Sequence, residues 1–246
     1  MSDTPLLEAR QLTKNFHGLK AIADLSFTMK QGEMLALIGP NGAGKTTLVS
    51  LISGTLPADS GNLLFEGATI DHLPPYARAH LGIGRTFQVT KPFPRLTVIE
   101  NVAIGALFGY RGGERSLAAA RNEARALLDF TGLAHRADQH GDQLGGPDRK
   151  RLELAKALAL KPKLLLLDEV MAGLNPSEID EVVAMVKKIR DTGTSILVIE
   201  HVMRAIRSLA DRIIVLHHGE KLAEGEPNAI LGDARVIDAY LGKRRA

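Results

Sequence analysis

The apolar run EMLALIG (33–39) passes directly into PNGAGKTT (40–47) and then into LVSLISG (48–54). A short strand, a glycine-rich turn and a helix follow one another there. Gly39, Gly44, Lys45 and Thr46 fall at the spacing of a phosphate loop. The chemistry needs that layout. Glycines let backbone N–H groups face phosphates with no Cβ in the way, and a helix N-terminus adds positive potential. Lys45 supplies a point charge for terminal phosphates, and the Thr46 hydroxyl is a ligand for Mg²⁺. The stretch Gly39, Pro40, Asn41, Gly42, Ala43, Gly44, Lys45, Thr46 and Thr47 is therefore the candidate nucleotide site.

Around the loop, LLEARQL (6–12) and KAIADLSFTM (20–29) alternate as strands joined by a turn at His17-Gly18, and GNLLFEG (61–67) reads as another strand. GIGRTFQ (82–88) closes this half. From Val89 to Leu160 helical periodicity takes over, in TVIENVAIGALFGY, ERSLAAARNEARALLDFTGL and DRKRLELAKALAL. Strands return at PKLLLLDE (162–169), TSILVIEH (194–201) and DRIIVLHHGE (211–220), with helices PSEIDEVVAMVKKIRDT and HVMRAIRSLA between them. Strands alternating with helices imply a largely parallel sheet covered on both faces.

Composition limits the alternatives. A chain of 246 residues is long enough for one large domain or a domain with a subdomain, and 45% hydrophobic with 24% charged residues suits a soluble globular protein. A net charge of +3 is too mild for a nucleic-acid surface, and the basic runs DRKR (148–151) and GKRRA (242–246) read as solvated charge. The absence of cysteine removes disulfides, thiol catalysis and cysteine-ligated zinc, and it suits a reducing compartment. The first residues carry acids and no continuous apolar core, so they do not read as a secretory signal. No segment reaches the ~18 consecutive apolar residues of a membrane span.

LLLLDE supplies the second chemical feature. A buried parallel strand ends in two carboxylates at its C-terminal edge, where such sheets bind ligands. Asp168 is placed to hold Mg²⁺, directly or through water, and Glu169 to polarise an attacking water. His201, at the end of SILVIE, is a candidate γ-phosphate sensor. Gln88 carries no signal by itself.

Together these residues resemble the ATP-binding subunits of ABC transporters, over the whole chain. The resemblance implies an α/β fold of the P-loop NTPase type, with a mainly parallel sheet core, an antiparallel β subdomain and an inserted helical subdomain. On that reading residues 1–88 and 161–246 form the α/β body, and 89–160 the helical subdomain. It also implies roles. Phe16 is similar to the aromatic that stacks on adenine, Gln88 to the hinge glutamine that touches Mg²⁺, Glu169 to the catalytic base and His201 to the switch histidine. AGLN (172–175) takes the place of the loop that crosses to a partner ATPase. That loop usually ends in aspartate, and Asn175 keeps an acceptor without the charge. The segments 73–102, 169–178 and GEP…VIDAYLG (225–242) resemble the branched-chain amino acid importer class more narrowly. Urea and short-amide importers use near relatives.

One stretch departs from the family. Helix RLELAKAL is preceded there by Leu-Ser-Gly-Gly-Gln, which grips the partner's ATP. Here Leu144, Gly145, Gly146, Pro147 and Asp148 stand in its place, with no hydroxyl in either register. Pro147 also lacks the N–H a glycine offers. Proline suits the first helical turn, so the helix and its dipole are expected to survive.

The resemblance implies an ATPase using ATP and Mg²⁺, peripheral on the cytoplasmic face of the membrane. Its implied partners are two polytopic permeases, a second ATPase subunit and an extracytoplasmic solute-binding protein, with no nucleic acid. Three rivals stand beside it. A soluble ABC ATPase of DNA repair or translation usually has two ATPase domains or a coiled-coil insertion. A docking subunit with weak hydrolysis is favoured by the eroded signature and opposed by Glu169 and His201. An export ATPase, such as one for lipopolysaccharide, is opposed by VIDAYLG.

Overall fold

The computed structural model describes residues 4–87, 92–109 and 116–241. They divide into two compact units, residues 1–75 with 171–246 and residues 76–170.

The first unit opens with β1 (Leu7–Phe16) and β2 (Leu19–Met29), an antiparallel pair turning at His17-Gly18. With β4 (Ser60–Phe65) and β5 (Ala68–Thr69) they form a sheet of order β2-β1-β4-β5, antiparallel throughout. Between them run β3 (Met34–Ile38), buried at every position, and α1 (Lys45–Ser53). The pairing of β1 with β2 shifts register after Ala9, Leu12 and Lys14.

The second unit begins one residue into α2 (Pro75–Leu81) and continues with β6 (Ile83–Arg85), followed by α3 (Val98–Phe108), α4 (Leu117–Phe130) and α5 (Gly146–Ala159). It ends on β7 (Leu164–Asp168), again buried throughout and parallel to β6. The helices fold because each has one apolar stripe to bury. Val98, Val102 and Ala106 of α3, Ala120, Ala124 and Leu128 of α4, and Leu152, Ala155 and Ala159 of α5 share one core. Small residues let α3 and α5 approach closely. A Cβ on Gly105 would lie 2.8 Å from that of Ala159. Thr97 and Glu100 close a capping box at the start of α3.

The chain then returns to the first unit with α6 (Pro176–Asp191), β8 (Ser195–Ile199), α7 (Met203–Leu209), β9 (Arg212–His217) and β10 (Glu220–Gly225). Strand β3 lies between β8 and β9, parallel to both, and β10 adds an antiparallel edge to β9. Five apolar residues in a row on β3, and four after the buried Ser195 on β8, match a sheet buried on both faces. Two short helices close the described chain, α8 (Pro227–Leu231) and α9 (Ala234–Leu241). Among the described residues no helix is long and apolar enough to cross a membrane.

Candidate nucleotide-binding site

The loop between β3 and α1 is built from residues that only glycine can supply. Gly39 and Gly44 have φ of +150° and +104°. A Cβ on Gly39 would sit 2.1 Å from the Leu216 carbonyl oxygen, and one on Gly44 2.3 Å from that of Ala21. Gly42 is left-handed too, at φ +79°, but faces open space. Gly44 is the N-cap of α1. The loop is tied down from several sides. Gly219 N–H donates to the Ala43 carbonyl, and Gly39 N–H donates to the Tyr240 hydroxyl oxygen at 2.7 Å. Lys45 folds its ammonium back into the loop, donating to the carbonyls of Gly39 (2.7 Å) and Pro40 (3.0 Å). Left-handed glycines, a helix N-terminus and an inward ammonium fit a phosphate chain. Asn41 and Thr46 are exposed, while Pro40 and Thr47 are half-buried.

Three other candidates belong to this unit. Phe16 ends β1 with its ring accessible, and the Lys14 ammonium lies 5.7 Å from the ring centre. His201 is exposed on the link between β8 and α7, beyond the end of the strand. Asn175 is the N-cap of α6. Its side-chain oxygen accepts from Glu178 N–H at 3.0 Å, and Glu178 accepts in return from Asn175 N–H at 2.8 Å. The acceptor that an asparagine keeps is thus spent on starting the helix, a task aspartate performs equally well.

The second unit carries the acid pair. Asp168 closes β7 and is almost wholly buried. Thr86 pins its backbone, accepting from Asp168 N–H at 3.1 Å. Arg85, the last residue of β6, places Nη2 3.4 Å from Asp168 Oδ2. Burial pushes the Arg85 guanidinium below the usual arginine range, against the charge of Asp168, which holds it up. Glu169 follows in a left-handed conformation, φ +52°, a region glutamate rarely takes and one enriched at functional positions. Carboxylate and hydroxyl oxygens, the donors that Asp168 and Thr46 offer, suit Mg²⁺. Among the described residues no three His, Asp or Glu side chains cluster as metal ligands.

The stretch without a serine is also in this unit. Leu144 is buried, and Gly145, Gly146 and Pro147 are exposed. Gly145 is the N-cap of α5 in extended conformation (φ −70°, ψ 169°), and Pro147 sits in the first turn. A Cβ on Gly145 or Gly146 meets nothing within 4 Å. Asp148 lies 3.6 Å from the Arg136 guanidinium, and Arg149 donates to the Asp142 carbonyl at 2.8 Å. Gln88 and the basic tail 242–246 lie outside the described residues. Sequence reasoning missed Arg85 and Tyr240. Both lie in segments it used only as markers, GRTFQ and VIDAYLG.

Known proteins place this geometry. Residues 22–172 match the family model described as ABC transporter. Residues 220–246 match one described as branched-chain amino acid ATP-binding cassette transporter. The lipopolysaccharide export system ATP-binding protein LptB of Escherichia coli K12 is 36% identical over 239 residues, 96% of this chain and 97% of that protein. The probable branched-chain amino acid transport ATP-binding protein LivG of Archaeoglobus fulgidus is 36% identical over 248 residues, 96% of this chain and 95% of its own. A crystal structure of a nucleotide-free ATP-binding cassette from an ABC transporter superposes with a TM-score of 0.86 at 30% identity, covering 97% of this chain and 100% of that one. The dimeric post-hydrolysis cassette MJ0796, bound to ADP and Pi, gives 0.83 at 26% identity, covering 90% and 98%.

Proposed function

We infer that this chain, which belongs to the ABC transporter family of ATP-binding subunits, energises solute import, with branched-chain or related amino acids as the cargo. Its fold is the ABC ATPase cassette, it hydrolyses ATP with Mg²⁺, and it acts as part of a dimer with transmembrane permease subunits. The observation that carries the importer reading is the match of residues 220–246 to the branched-chain model. The LivG relatives support it. On this reading the chain docks on the cytoplasmic face of the membrane, against two polytopic permeases fed by an extracytoplasmic solute-binding protein.

We assign roles as follows. The loop from Gly39 to Thr47 cradles the phosphates, with Lys45 giving up its loop carbonyls to reach them. Phe16 stacks on the base. Thr46, Asp168 and Gln88 hold Mg²⁺, which neutralises phosphate charge when bound. Glu169 orients and polarises the attacking water, and His201 senses the terminal phosphate. Gly145, Gly146, Pro147 and Asp148 face the partner's ATP, and Asn175 lies in the loop that crosses to it. Residues 89–160 form the helical subdomain that meets the permeases.

A lipopolysaccharide-export role is the second reading, favoured by LptB, whose identity is as high as LivG's. A urea or short-amide importer, and a docking subunit of weak hydrolysis, are narrower variants. Uptake into proteoliposomes separates them. The chain is assembled with its permeases and binding protein, and labelled leucine, urea and acetamide are offered with ATP inside. Leucine uptake is expected. ATP-driven urea uptake without leucine uptake moves the assignment to the amide class, and ATP turnover with no solute uptake at all refutes import.

A further inference from the structure

Arg85, with Phe87 packed on it, and Thr86 hold Asp168. Thr86 holds its backbone, its own N–H donating to Leu166 O at 2.9 Å and its hydroxyl accepting from Asp168 N–H. Arg85 faces its carboxylate at 3.4 Å, with side-chain exposures of 11% for the arginine and 1% for the aspartate. The centre of the Phe87 ring lies 5.2 Å from the guanidinium carbon, within cation–π range. A carboxylate this buried needs a counter-charge, and β6 supplies one.

We propose that Arg85 guards the metal site: it neutralises Asp168 when no metal is bound and denies free Mg²⁺ the full charge of that carboxylate. This rests on the assignment of Asp168 to Mg²⁺. A divalent ion within reach of Asp168 also feels Arg85 as a like charge. At Asp168 itself the carboxylate contributes one negative charge and the guanidinium offsets it, so the ion gains less from this residue than from an unpaired carboxylate. Nucleotide phosphates add several negative charges, and with them the balance turns favourable. Mg²⁺ therefore enters with its nucleotide and not ahead of it. Arg85 is a positioning residue on this account, acting through Asp168 and not on substrate.

Mn²⁺, which takes the same oxygen donors, is the probe, read by its electron paramagnetic resonance signal. The wild-type protein, Arg85→Met, Arg85→Gln, Arg85→Lys and Asp168→Asn are titrated with Mn²⁺ alone and with Mn²⁺ plus a non-hydrolysable ATP analogue. Removing one charge a few ångströms away is expected to tighten Mn²⁺ binding at least about tenfold in Arg85→Met, with or without nucleotide. Arg85→Gln keeps a polar tip against Asp168 and should shift the same way, so a folding defect in the Met variant leaves the test intact. Arg85→Lys should behave as wild type. Unchanged Mn²⁺ affinity in both neutral variants overturns the proposal, as does a lysine variant that shifts like them, since packing and not charge would then be responsible. Asp168→Asn separates the two levels. If it leaves Mn²⁺ affinity in the presence of nucleotide unaltered, Asp168 is not the metal residue and the underlying assignment fails. If it weakens that affinity while Arg85→Met changes nothing, only the guard role fails.

Discussion

Replacing Gly145 by serine tests whether the junction at 144–148 still reaches a partner's ATP. The substitution is sterically free, because a Cβ there meets nothing within 4 Å. It is also conformationally free, because φ −70° and ψ 169° are the extended values an N-cap serine adopts. Serine exceeds glycine as an N-cap by only a few tenths of a kcal/mol, so Tm should rise by about 1 °C. The effect across the dimer should be much larger. The serine oxygen accepts from the helix, which leaves its O–H free to donate to a phosphate. A hydrogen bond to a charged group is worth about 1.5–3 kcal/mol, which is roughly 10–100-fold in dimer affinity per contact. Adding Pro147→Gly restores an N–H and costs about 0.4–1 kcal/mol through unfolded-state entropy.

Sedimentation velocity with ATP, in a Glu169→Gln background to block turnover, reads the dimer. Fluorescent-nucleotide titration at low protein concentration reads the monomer. The dimer should tighten while the monomer's ATP affinity stays constant, because the proposed site of the monomer's own ATP is the loop at 39–47. Equal dimer affinity before and after, with the small rise in Tm confirming a folded protein, refutes the idea that residue 145 meets a phosphate. Tightening in the monomer by the same factor refutes it too, since the serine would then be acting on the chain's own nucleotide.

Lys45→Ala removes the only ammonium in the loop and should abolish nucleotide-stimulated turnover and sharply weaken ATP binding; undiminished affinity by titration would move the phosphate site elsewhere. Glu169→Gln should keep ATP binding while turnover falls by about 10²–10⁴, the range for loss of a general base, as read by phosphate release. The loop glycines should differ in thermal unfolding. Gly42→Ala costs about 1–2 kcal/mol for its left-handed φ alone. Gly44→Ala adds a clash with the Ala21 carbonyl and should lower Tm further; equal Tm values would show that the loop relaxes around either residue.

Local features were the legible ones. The glycine loop and the acid pair are each written within a few residues, so spacing alone exposes them. Strand β1 runs on to Phe16, past the end that alternation gives, because its pairing with β2 slips at several points and each slip breaks the two-residue rhythm. Strand β10 was hidden because its residues are largely exposed and charged, and the turn His218-Gly219 reads as an end when it is the middle of a hairpin. Helix α2 is only seven residues long, too short for a helical stripe to declare itself. The pair Arg85 and Asp168 spans 83 positions and exists only because β6 and β7 run parallel in register. No sequence window contains both.

Tyr240 joins these two kinds of information. Gly39 is buried, and its N–H would be an orphan donor without an acceptor. That acceptor comes from a residue 201 positions away, on α9, inside the segment that matches the branched-chain model. Burial raises the tyrosine's pKa, so the hydroxyl stays protonated at neutral pH and accepts through a lone pair. On the other side of the same glycine, the carbonyl is held by Lys45. On the proposed assignment Lys45 leaves that carbonyl for a phosphate, while the Tyr240 bond still holds Gly39 from a residue outside the loop. The C-terminal segment therefore does more than match a family model. It supplies a hydrogen bond to the root of the loop on which the ATPase reading depends.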